Sequence, residues 1–192
     1  MRGAWRKFAA ANAVAALVAG CATLPPPAAA PATVERTDSS FSIGGRISAR
    51  RGDAVVAGSF TWVHDATHDV IDLSSPLGQM IAKLDGGPDG VRVQLPQGRT
   101  EGAATWSELT ERAFGVTIPV DGLAAWVRGL PRASAPFTVE RDDRGRIALL
   151  RQLGWDIVYG YADDAAERPF RTSLRYPGAE AVDVRVVVDR WD

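Results

Sequence analysis

The chain has 192 residues, with 22 Lys and Arg against 23 Asp and Glu. Three of the cations, Arg2, Arg6 and Lys7, fall in the first seven residues, so the remainder carries 19 against 23, a net charge of −4 that excludes the basic footprint of nonspecific nucleic-acid binding. The single cysteine, Cys21, excludes internal disulfides and a multi-thiolate metal site.

The three cations precede an apolar run from Phe8 to Ala19, too short to span a bilayer comfortably, which reads as a cleaved export signal over residues 1–20. The run ends Leu17-Val18-Ala19-Gly20-Cys21. This box resembles that of bacterial lipoproteins, in which the cysteine receives a thioether-linked diacylglycerol and an amide-linked acyl chain and becomes the first mature residue. Two or more buried chains, at about 0.8 kcal/mol per methylene, give stable anchoring without a crossing helix. Asp immediately after the cysteine resembles an inner-membrane retention signal; Ala22 stands there instead and favours the outer membrane. Residues 21–40, rich in Pro, Ala, Thr and Ser, have almost nothing to bury and read as an acylated tether of roughly 25 Å root-mean-square reach. About 150 residues then remain, one domain spanning 41–192.

From Phe41 onward, short β-branched runs alternate with turn clusters. Phe41 to Ile47 and Val55 to Val63 form a hairpin around Arg51-Gly52-Asp53, followed by strands at Val70–Leu73, Met80–Leu84 and Val91–Leu95. The stretch Asp85-Gly86-Gly87-Pro88-Asp89-Gly90 reads as a turn and not as strand. Thr105-Trp106-Ser107-Glu108 is a capping box opening a helix that carries Trp106, Leu109 and Ala113 on one face and stops at Gly115. Asp121 is placed to cap a second helix with the stripe Leu123, Ala124, Trp126, Val127, Leu130, ended by Gly129 and Pro131. Strands resume at Phe137–Arg141, Arg146–Gln152, Trp155–Tyr161, Phe170–Tyr176 and Val182–Trp191.

Two helices between two meanders predict a mainly β (α+β) fold: one curved antiparallel sheet, an open and incomplete barrel, with the helices over its concave face. The interior is then either a solid core or an apolar hollow for a lipid tail. Trp62, Trp106, Leu109, Leu123, Trp126, Val127 and Leu130 are the candidates to line or lid it, and each serves equally well as core. Ser74-Ser75-Pro76-Leu77-Gly78-Gln79 is a turn between strands, and Leu77 at its tip either folds back onto the core or stands out in solvent. His64 and His68, spaced by four beside Asp65 and Asp69, lack the helical frame that a metal face at this spacing requires and read as solvated turn residues. No metal site, cofactor or catalytic residue is expected: there are only these two histidines, and no nucleophile elbow, P-loop or dinucleotide fingerprint.

Several ordered fragments carry a resemblance to a known family. They are Phe41-x-x-x-Gly45-Arg46-Ile47, Gly58-Ser59-Phe60-Thr61-Trp62, Leu73-Ser74-Ser75-Pro76-Leu77-Gly78, Gly115-Val116-x-Ile118-Pro119-Val120, Leu123-x-x-Trp126-Val127-x-Gly129-Leu130-Pro131, Gln152-x-Gly154-Trp155-x-Ile157-x-Tyr159 and Val188-Asp189-x-Trp191. Together, behind a lipobox, they resemble the LolB family of outer-membrane lipoprotein receptors. The resemblance implies a LolA/LolB-like incomplete barrel with an internal helical lid and an acyl-chain cavity. It implies a monomer that accepts lipoproteins from the periplasmic carrier LolA and inserts them into the inner leaflet of the outer membrane. It also implies that the loop Pro76-Leu77-Gly78 presents a leucine prong that enters the membrane. Two other functions fit the residues alone: a structural or assembly lipoprotein of another outer-membrane complex, and a soluble carrier of the LolA kind, which the lipobox disfavours.

Overall fold

The computed structural model describes residues 40–133 and 135–192; the leader expected over 1–20, Cys21 and the expected tether through residue 39 lie outside them. Eleven strands, β1 (Phe41–Arg51), β2 (Ala54–Asp65), β3 (His68–Ser74), β4 (Met80–Gly87), β5 (Gly90–Gln94), β6 (Thr100–Ala103), β7 (Phe137–Arg141), β8 (Ile147–Gln152), β9 (Trp155–Gly160), β10 (Arg171–Tyr176) and β11 (Val182–Trp191), form one antiparallel sheet. Its spatial order is β6-β5-β4-β3-β2-β1-β11-β10-β9-β8-β7. The chain therefore starts in the middle of the sheet, winds out to one edge, and returns from the other edge until its last strand pairs with its first. The outermost strands β6 and β7 do not pair with each other, so the barrel stays open.

Period-two alternation builds the two faces. On β11, Val182, Val184, Val186 and Val188 are buried while Asp183, Arg185 and Asp189 face water. On β2, Val56, Phe60, Trp62 and His64 point inward. The register of β1 against β11 shifts between Gly44 and Gly45, and a Cβ on Gly45 would lie 2.0 Å from the Val187 carbonyl oxygen. Only glycine allows that approach, and the bulge bends the central pair and helps the sheet to curl.

The helical segment joins one sheet edge to the other, with α1 at Trp106–Phe114 and α2 at Val120–Trp126. The box at the start of α1 is formed: Thr105 Oγ1 accepts from the Glu108 N–H (3.2 Å), and Glu108 Oε2 accepts from the Ala104 N–H (3.3 Å). Gly115 closes the helix at φ +71. Both helices pack their apolar residues into the same core as the strands.

Four sequence expectations need correction. The stretch from Asp85 to Gly90 is mostly ladder: Asp85 pairs with Val70, Gly86 with Val91 and Gly87 with Gly90, leaving only Pro88-Asp89 as the turn. Neighbouring strands on both sides override the low strand propensity of glycine. Strand β6 was not foreseen, since its four residues Thr-Glu-Gly-Ala show no alternation of polarity and pair only because β5 offers an edge. Helix α2 begins at Val120 with Pro119 in the cap position, and Asp121 makes an ion pair with Arg132 (2.6 Å) instead of capping. The helix also ends at Trp126: the Leu130 N–H folds back to the Ala125 carbonyl across Gly129 at φ +75, so Leu130 leaves the stripe and is half-buried. Finally, His64 is buried, because β2 continues its alternation through Asp65 instead of stopping at Val63.

Candidate functional site: an apolar hollow and an exposed loop

Between the helical layer and the sheet lies a cavity of about 50 Å³. Its sheet wall is built by Ile47, Val56, Phe60, Trp62, Ile71, Leu73, Leu84 and Val186, inward positions of β1 to β4 and β11. Thr110 and Phe114 of α1, Ile118 between the helices, and Val120 and Leu123 of α2 cover it. Among the described residues Thr110 is the only polar aliphatic side chain in the wall, and its hydroxyl is committed: it donates to the Trp106 carbonyl (3.0 Å) and accepts from the Ile118 N–H (2.8 Å). Such a surface attracts hydrocarbon and offers no ionisable group to a polar ligand.

Of the sequence candidates, Trp62 and Leu123 stand on the wall of this hollow. Trp106, Leu109, Trp126 and Val127 are buried in the same core beside it, and Leu130 lies half-buried beyond α2. Trp126 packs against Trp155 with ring centroids 6.4 Å apart and donates its indole N–H to Gln152 Oε1 at 2.9 Å. Arg46 faces water and forms a two-point ion pair with Asp189 (2.9 and 3.2 Å).

Two buried polar clusters escaped the sequence reading. Gln152, 3% exposed, receives the Trp126 and Arg132 N–H groups on its oxygen and donates its amide to the carbonyls of Arg132 and Ala135. It ties the segment after α2 to β8. A polar residue at an inward position of an alternating strand, two after Leu150, was the available signal. The second cluster joins His64 Nδ1 (2.8 Å) and Trp62 Nε1 (2.7 Å) to one oxygen of buried Asp69. His68 lies against Asp85 instead, so the two histidines do not converge.

Pro76, Leu77 and Gly78 form the tip of the β3–β4 loop. Leu77 is 87% exposed, yet the loop beneath it is held: the Ser75 N–H donates to the Gln79 carbonyl (2.8 Å) and the Gly78 N–H to the Ser75 carbonyl (2.9 Å). The loop is thus held by its own backbone while its leucine stands in water.

The fold is thus an unclosed antiparallel barrel with an apolar interior covered by helices and an exposed leucine on one connecting loop. The family model for "Outer membrane lipoprotein LolB" matches residues 39–191. Outer-membrane lipoprotein LolB of Azoarcus sp. (strain BH72) is 35% identical, covering 100% of this chain and 98% of its own. Those of Thiobacillus denitrificans (34%, 97% of each chain) and Chromobacterium violaceum (32%, 93% and 94%) are also similar. Among solved structures, a LolA superfamily protein from Nitrosomonas europaea superposes with a TM-score of 0.48 at 11% identity over 81% of this chain and 86% of that one. The chain belongs to the LolB family of outer-membrane lipoproteins.

Proposed function

We propose that the chain accepts lipoproteins from a LolA-type periplasmic carrier, holds their acyl chains between its helical layer and sheet, and inserts them into the inner leaflet of the outer membrane. Cys21 carries the lipid anchor, and the folded head faces the periplasm. The observation that carries this reading is the pairing of a wholly apolar hollow with Leu77, 87% exposed on a held loop.

At about 50 Å³ the hollow is too small for an acyl chain as it stands. An apolar cavity of roughly 150 Å³ is filled by a single benzene molecule, so an acyl chain enters only when the helices move away from the sheet. The chain then replaces the apolar contacts that the helices relinquish. No nucleotide or metal is needed, because the hand-over is driven by affinity rising from carrier to receptor to bilayer. Leu77 enters the bilayer first; burying a leucine there is worth roughly 1.5–3 kcal/mol, enough to orient the head and too little to anchor it.

The test is direct. The acylated chain is reconstituted in vesicles and mixed with carrier loaded with a radiolabelled lipoprotein. Cargo is expected to leave the carrier and float with the vesicles only when the chain is present. Cargo that stays on the carrier at stoichiometric receptor would overturn the reading.

A further inference from the structure

We infer that the turn Leu153-Gly154 between β8 and β9 is a second membrane-contacting element, which together with Leu77 sets one rim of the open barrel against the bilayer. The inference rests on the proposed delivery of cargo to a membrane and adds a surface to it.

The turn is anomalous for its position. Gln152 pairs with Trp155, leaving two central residues, and both have positive φ: +54 at Leu153 and +81 at Gly154. Two-residue hairpin turns of this kind favour Asn-Gly or Asp-Gly, because leucine at positive φ sets its Cβ against the following carbonyl. Leu153 is also 49% exposed. Backbone conformation and solvation therefore both favour a small polar residue, and the chain carries a large apolar one. Strain of this kind, where it persists, marks a site under functional demand. Next to it Tyr176, 44% exposed, lies against Gly154 and meets the Trp155 ring edge-on at 5.3 Å, adding a half-exposed aromatic to the turn.

The topology puts this turn on the same rim as Leu77. The β3–β4 loop leaves the ladder at Ser74, level with Ser59 and Arg46; the β8–β9 turn leaves it past Arg151, level with Asp156, Arg175, Asp183 and Arg50. At the opposite ends of these strands the β2–β3 turn lies just beyond His64, level with Phe41, and the β9–β10 connection lies past Gly160, level with Arg46. Both ends step the same way along β1, which is the stagger of tilted strands around a barrel axis. Leu77 and Leu153 thus occupy one rim, on either side of the central β1–β11 pair.

Charge separates the two rims. On the rim of Leu77, the connections 75–79 and 153–154 contain no charged residue; the connection 95–99 adds only Arg99, and Asp53 and Glu180 lie there beside Arg50 and Arg51. The opposite rim bears Asp89, Asp142, Asp143, Asp163, Asp164 and Glu167 against Arg144, Arg146 and Arg168, a net charge of −3 in which Arg144 pairs with Asp164 and Arg146 with Asp142. An anionic bilayer surface repels the second rim and accepts the first, so the occupant is the membrane.

The acylated full chain with Leu153→Cys, Leu77→Cys or Asp143→Cys is labelled with an environment-sensitive fluorophore and reconstituted in phosphatidylethanolamine–phosphatidylglycerol vesicles containing brominated lipid. Cys21, occupied by lipid under the proposed reading, does not take the label. Quenching is expected at positions 77 and 153 and not at 143. Quenching at 77 alone overturns this inference and leaves the proposed function standing; quenching at neither removes membrane delivery by this rim altogether. In parallel, Leu153→Asn suits the turn and is expected to raise the urea midpoint, while slowing cargo delivery to vesicles by about tenfold, the equivalent of one leucine's transfer to lipid, with uptake from the carrier unchanged. A normal delivery rate in that variant overturns the inference.

Discussion

The indole N–H of Trp126 meets Oε1 of Gln152 at 2.9 Å, and through this bond α2 is fastened to β8 across the mouth of the barrel. The same oxygen accepts from the Arg132 N–H at 2.8 Å, and the Gln152 amide donates to two carbonyls of the following segment. One side chain thus satisfies four polar groups, one on α2 and three on the segment that follows it. Gln152→Leu leaves all four without it. The expected loss is about 2–4 kcal/mol, from unsatisfied groups at 1–3 kcal/mol each, some of which recover water. Urea denaturation measures it, and a loss below about 1 kcal/mol would show that the clasp is not what holds the cover.

Tyr159 offers the opposite case. Its hydroxyl is buried with no hydrogen-bond partner among the described residues, and burial pushes its pKa above the ordinary phenol value, so it stays neutral. Deleting an unsatisfied buried group is favourable. Tyr159→Phe is expected to raise stability by about 1 kcal/mol, read as a higher urea midpoint at unchanged slope.

Val56 points into the hollow from β2. Val56→Phe adds atoms where space exists, so the usual overpacking cost of about 1–3 kcal/mol should fall toward its lower limit. Binding of a fluorescent fatty acid to this variant is expected to weaken several-fold. Equal binding by a well-folded variant would place the acyl chain elsewhere.

Leu77→Glu changes a side chain that is almost wholly in water, so stability should stay within about 0.5 kcal/mol of the parent. Uptake of cargo from the carrier is expected to persist while release into vesicles stops. The two steps separate in a flotation assay, and release at the parental rate would remove Leu77 from the insertion step.

Asp69 holds two buried donors, the ring nitrogens of Trp62 and His64. Asp69→Ala is expected to cost about 2–4 kcal/mol by leaving both unpaired, and to loosen the side of the hollow that Trp62 lines. Thermal unfolding measures the first effect, and near-ultraviolet circular dichroism of the tryptophans the second.

The sequence by itself determined the class of fold. Alternation at Val182–Val188, the box at Thr105–Glu108 and the stop at Gly115 report a backbone geometry of period two or 3.6, which neighbouring residues set among themselves. That is why most strands and helix α1 were legible, and why the errors fell where distant partners decide: Asp85 to Gly87 kept in the ladder by two neighbouring strands, β6 by an available edge, Asp121 drawn to Arg132. Only the tertiary structure decided that Trp62 and Leu123 reach the wall of the hollow while Trp126 packs beside it, that His64 is buried against Asp69, and that Gln152 clasps the cover. It alone decided that Leu77 stands in water and shares a rim with Leu153. Burial and rim position depend on which strands close over a residue from far along the chain, and no local period encodes that.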